Sequence, residues 1–132
     1  MDFKVFGFAT LAACALAAPA LAHHSFAMFD SDKTLTMTGT VKEFEWTNPH
    51  SWLRIMVEDQ SGKTMQWALE MGSPAQQARV GWKADSVKVG DKVTVTIHPL
   101  KDGSRGGQFM SAVLPGGQKL GNGGQRNNPH GE

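Results

Sequence analysis

The chain has 132 residues, with 13 basic against 12 acidic side chains, a formal net charge of +1 and one cysteine. No run of like charge stands out, which excludes an electrostatic nucleic-acid binder. A chain of this length builds one modest core and predicts one domain.

The first stretch is a targeting segment. Lys4 carries a positive charge near the start, Val5 to Ala18 is almost wholly apolar, and Ala20-Leu21-Ala22 is a small-x-small cleavage signal. The pattern predicts a signal peptide over residues 1–22, cleaved after Ala22, and a periplasmic or secreted protein. The apolar run falls short of the about 20 residues a membrane span needs, so no span is expected after its removal. Leu11-Ala12-Ala13-Cys14 offers a competing lipoprotein reading. It would leave a very short apolar region before the cut and an oddly apolar linker after it. With Cys14 removed, residues 23–132 hold no cysteine. An exported domain without disulfides must be held by its core.

The arm His23-His24-Ser25-Phe26-Ala27-Met28-Phe29 follows, and Phe26, Met28 and Phe29 are apolar enough to dock. Thr34 to Val41 alternates, with Leu35, Met37 and Val41 on one face and threonines on the other. After Val41 the apolar parity slips to Phe44 and Trp46. A one-residue slip close to Gly39 predicts a bulge or bend. Trp52 to Glu58 alternates again. Asp59 to Lys63 reads as a hairpin turn, and Thr64 to Glu70 as the next strand, with Met65, Trp67 and Leu69 on one face. Ser73 fits a helix N-cap and Pro74 its first position, and Gly81 fits the stop. Trp82 is expected to pack on the core. Val93 to His98 forms a strand that Pro99 ends, Asp102 to Gly107 a loop, and Gln108 to Leu114 a further strand. Residues 121–132 are rich in Gly and Asn and are expected to form a disordered tail.

Three strands, a short helix, then two strands is the order of a mainly β, five-stranded OB-like Greek-key barrel, with the helix between strands three and four. The expected domain covers residues 23–120. A small open sandwich is the alternative.

The blocks His23-His24-Ser25-Phe26, Trp46-Thr47-Asn48-Pro49-His50 and Glu70-Met71-Gly72-Ser73-Pro74 together resemble a family of small exported bacterial proteins classed as a domain of unknown function. Gly81-Trp82 and Gly90-Asp91 fit the same pattern. The resemblance implies an exported β-rich domain and carries over no activity, substrate or catalytic residue.

Two constellations remain. Trp46, Asn48, His50 and Trp52 border the first hairpin connection, where OB-folds commonly bind ligands. They are the candidate ligand-binding residues, for a small ligand or an exported protein partner. Against this, His50 can be a turn histidine bonded to backbone, and most of the tryptophans can be core. The second constellation is metal-binding. Cleavage after Ala22 would give His23 a free amine beside its imidazole, and a third nitrogen from His24, His50 or His98 would suit Cu(II), with Zn or Ni as the other metals such a site takes. This arrangement resembles the amino-terminal histidine brace of exported copper proteins. Against it, His23 and His24 can be polar residues of a frayed end. His98 faces outward with Thr94 and Thr96 and is the weaker candidate. No nucleophile elbow, phosphate loop or zinc-protease motif is present. The sequence therefore favours a non-enzymatic binding module, with a copper-binding protein as the alternative.

Overall fold

A computed structural model describes residues 26–124. The signal segment, His23, His24 and residues 125–132 lie outside the described residues, as does the Phe26 side chain.

Six strands and one helix follow the short 3-10 turn Phe26–Met28: β1 (Leu35–Glu45), β2 (Trp52–Glu58), β3 (Thr64–Glu70), α1 (Pro74–Ala78), β4 (Lys92–Pro99), β5 (Gly106–Val113) and β6 (Lys119–Gly121). The sheet order is β3-β2-β1-β4-β5-β6, and β3 also pairs with β5. That last pairing closes β1 to β5 into a five-stranded barrel of OB-like topology, with α1 between the third and fourth strands. The expected fold class is the observed one.

β1 works on two sides. Its first half, Leu35 to Thr40, pairs with β4; its second half, Thr40 to Glu45, pairs with β2. The change falls at a register shift between Val41 and Glu43, where the apolar parity slips in the sequence. An extra residue bends a strand and raises its twist. Gly39 makes the crossing possible: a Cβ there would stand 2.8 Å from the Met56 carbonyl oxygen.

Barrel closure depends on a second close approach. β3 and β5 run parallel over three pairs: Ala68 with Gly106, Leu69 with Gly107, and Glu70 with Gln108. A Cβ on Gly107 would lie 2.5 Å from the His98 carbonyl oxygen. β5 therefore begins at Gly106, inside the stretch expected to be loop, because the missing side chains let it nest between β3 and β4.

The core fills the barrel with Val41, Leu53, Ile55, Leu69, Val93, Val95, Ile97 and Phe109. Their inward alternation is the period-two pattern of the sequence. Trp82 is buried as expected, edge-on to Phe109 at 5.6 Å between centroids, and its Nε1 donates to the Gly121 carbonyl at 2.8 Å. In β3 only Leu69 of the expected inward row is buried; Met65 and Trp67 are half-buried. α1 starts with a capping box. The Ser73 hydroxyl accepts from the Gln76 amide, and the Gln76 side chain accepts from the Ser73 amide at 2.9 Å.

Ordered structure runs past the expected tail boundary. Gly121 closes β6, and Asn122 is a four-way tie. Its Oδ1 accepts from Gly72 N (3.3 Å), Gln77 Nε2 (2.5 Å) and Gly124 N (3.0 Å), and its Nδ2 donates to Phe109 O (2.7 Å). No helix among the described residues is long and apolar enough to cross a membrane.

Candidate functional site

One end of the barrel gathers the β1–β2 connection, the end of β3, the β4–β5 corner and the arm. The arm is pinned by backbone. Phe29 bridges Leu100, Asp30 N donates to Pro99 O at 2.8 Å, and Lys101 N donates to Met28 O at 3.0 Å. Phe29 is buried and Met28 is 41% exposed, so the arm docks through one of these two side chains.

Two hollows meet at this end. The first, of about 90 Å³, is lined by Phe29, His50, Glu70 and Met71, with Gln76, Gln108 and Asn122 supplying amides. The second, of about 160 Å³, lies between Met28, Phe29, Trp52 and Leu100, with Ala68, Gly106 and Gly107 along the β3–β5 pairing and Arg105 also lining it. Phe29 and Glu70 line both. They form the partition.

Glu70 is the unexpected member. It is only 8% exposed, although carboxylates are rarely buried without a partner. Its near partner is His50, whose Nδ1 lies 3.5 Å from a Glu70 oxygen and 3.1 Å from the Met71 carbonyl oxygen. A carbonyl and an ionised carboxylate only accept. Nδ1 therefore carries its hydrogen toward Met71 O, with the Glu70 oxygen alongside, which puts the lone pair of a neutral ring on Nε2. The backbone supports this arrangement. Ser51 N donates to Gly72 O at 3.0 Å and Met71 N donates to Ser51 O at 2.9 Å, locking the connection to the end of β3. The Asn48–Pro49 peptide within the connection is cis.

The structure divides the four ligand candidates. His50 lines the first hollow and Trp52 the second. Trp52 is half-buried, and the Arg54 guanidinium lies 5.9 Å from its ring centroid. Arg54 also bridges Glu43 at 3.1 Å and Glu45. Trp46 packs toward the core, 5.7 Å from Phe44, and Asn48 is exposed; neither lines these hollows. Of the metal candidates only His50 is described. Among the described residues no group of three His, Cys, Asp or Glu is placed to hold a metal. His98 is half-exposed, with Nδ1 2.7 Å from Lys33 O.

Sequence reasoning passed over Glu70, Gln108 and Asn122 as site residues. Parity put Glu70 in the row opposite Leu69, the side expected to meet solvent. It is covered only because the arm and β5 fold over that side. The one local signal was its place two residues before the Gly72-Ser73-Pro74 break.

Fold and site together define a small OB-like barrel with a buried carboxylate–imidazole pair between two hollows at one end. The chain belongs to a family of unknown function, DUF6152, whose family model matches residues 11–109. No curated protein and no solved structure matches the chain.

Proposed function

We propose that this protein is an exported, non-enzymatic module that binds a small ligand at the barrel end formed by the β1–β2 connection, β3 and the arm. One observation carries the reading: Glu70 is buried yet borders both hollows. A buried carboxylate is costly to folding unless paired and hydrogen-bonded. A His50 Nδ1 3.5 Å away, already bonded to Met71 O, is thin compensation, whereas a ligand group in either hollow would complete it. Aromatic walls with a few convergent polar groups are the usual make-up of a ligand site. Export is inferred from residues 1–22, and N-terminal mass analysis of the secreted protein tests it: a chain beginning at His23 is expected.

The binding test is a ligand-observed NMR screen of small cationic, neutral and anionic fragments against the native protein and Trp52→Ala. Hits lost in the variant are expected. A fragment set that binds neither protein, or both alike, overturns the reading.

A second reading, copper binding, is favoured by the docked arm. Phe29 lines the hollow that holds His50. His23 lies three residues before Phe26, within about 10 Å of chain at roughly 3.3–3.6 Å per residue. A Cu(II) site would then combine the His23 amine and ring with His24 or His50. Titration of Cu(II) into the chain beginning at His23, and into the same chain with one added N-terminal Ala, tests it. Weaker binding in the extended chain is expected; equal affinity rejects the amine as a ligand.

A further inference from the structure

We propose that the hollow beside Trp52 and Glu70 takes a small amphipathic monocation, a protonated primary amine on an apolar body about the size of one ring. The proposal rests on the small-ligand reading above and names its ligand class.

The charge argument starts from Glu70. An ionised carboxylate has about four lone-pair positions and no hydrogen to give. The nearest side-chain donor given for it among the described residues is His50 Nδ1 at 3.5 Å, whose hydrogen is directed to Met71 O at 3.1 Å. Acceptor capacity therefore remains on Glu70, in a position only 8% exposed. A group bringing two or three N–H donors and one positive charge answers both needs. A neutral hydroxyl answers only part, and an anion opposes them.

The apolar argument comes from the walls. Phe29, Trp52 and Leu100 line a half-open hollow of about 160 Å³, and Glu70 lines it too. A closed apolar cavity of about 150 Å³ holds benzene, so one ring is the right scale. Aromatic faces also attract cations. Arg105 lines the same hollow and is exposed. Solvent screens its charge more than it screens Glu70, so one cation is admitted. A second positive charge on the ligand would meet Arg105, which selects a monocation.

The test uses three probes of one shape: benzylammonium, benzyl alcohol and benzoate. Affinities are read by calorimetry at neutral pH, and the site is located by amide shifts of Gly106 and Gly107. Benzylammonium is expected to bind at least tenfold more tightly than benzyl alcohol, and benzoate the weakest. Glu70→Gln, which keeps size and shape, is expected to bring the amine down to the alcohol while leaving the alcohol unchanged. If native protein binds alcohol and amine equally, or binds benzoate best, the cation class is overturned while the small-ligand reading stands. If fragments bind but none moves the Gly106 and Gly107 amides, the cation class at this hollow falls alone; if no probe and no fragment of the wider screen binds the native protein, both fall. The comparison of probes on native protein needs no variant and decides the case even if Glu70→Gln fails to fold.

Discussion

Glu70 places stability and binding in opposition within one side chain. Removing one member of a buried pair is costly when it strands a charge, but the neutral His50 ring would keep its Met71 O partner, so Glu70→Met strands none and sheds the cost of burying a carboxylate. Glu70→Met is therefore expected to hold or raise the urea midpoint while abolishing capture of a cationic probe. A midpoint that falls steeply would mean that the His50 contact sustains the fold. Ser51, the residue after His50 in the β1–β2 connection, offers a cleaner case. It is fully buried, and its hydroxyl finds no partner among the described residues. A buried hydroxyl without a partner costs about 1–3 kcal/mol. Ser51→Ala is expected to be neutral or stabilising by up to about 1 kcal/mol in urea denaturation; a loss of stability would show that the hydroxyl has a partner in solution. Of these residues, His50 and Trp52 were legible beforehand, because a Pro-His turn between two alternating strands marks a loop that can bind. Glu70 was not. Alternation assigns a side within a strand, and only distant chain covers that side.

At the scale of elements, local chemistry was the readable part. The Ser73 cap, Pro74 and the β2–β3 turn each follow from residues within a few positions of one another. Asp59 anchors that turn: its Oδ1 accepts from Ser61 N at 2.8 Å, Ser61 Oγ at 2.6 Å and Lys63 N at 3.0 Å. The Ser61 hydroxyl first, then the Lys63 amide, hold its carboxyl below the usual carboxylate range. A group with a depressed folded pKa lends its stability above the unfolded value, about 3.9 for Asp, and loses it as pH falls through the folded value. The turn is thus expected to loosen below about pH 4, and Asp59→Ala to remove that pH dependence, as read from Gly62 and Lys63 amide exchange. Gly106 and Gly107 were read as loop because Gly after Ser-Arg is ordinary loop composition. Their strand role comes from β3, far off in sequence. Gly107→Ala would drive a Cβ against the His98 carbonyl and is expected to cost about 1–3 kcal/mol, measured by thermal or urea unfolding. An unchanged midpoint would show that β5 can shift to make room.

Across the whole molecule, hairpin order and helix position were enough to select the barrel, because few topologies accommodate three strands, a helix and two strands. What escaped was the far end of the chain. A Gly- and Asn-rich run carries no hydrophobic period, yet Asn122 ties Gly72, Gln77 and Phe109 together and lines the first hollow. Asn122→Ala leaves several buried groups unsatisfied. It is expected to destabilise by about 1–3 kcal/mol and to weaken binding at the first hollow more than at the second. Equal weakening at both would make Asn122 a support of the whole barrel rather than of one wall.

The β3–β5 pairing has only three rungs, against seven between β2 and β3, and Glu70 belongs to the last of them. Short ladders are where native proteins breathe first. A guest held by Glu70 and the Gly106–Gly107 wall would clasp both staves of that gap, stabilising the closed form by mass action. Slower deuterium uptake confined to Ala68 and its neighbours across the gap, with the hairpins untouched, would mean that occupancy itself acts as the latch of the cylinder.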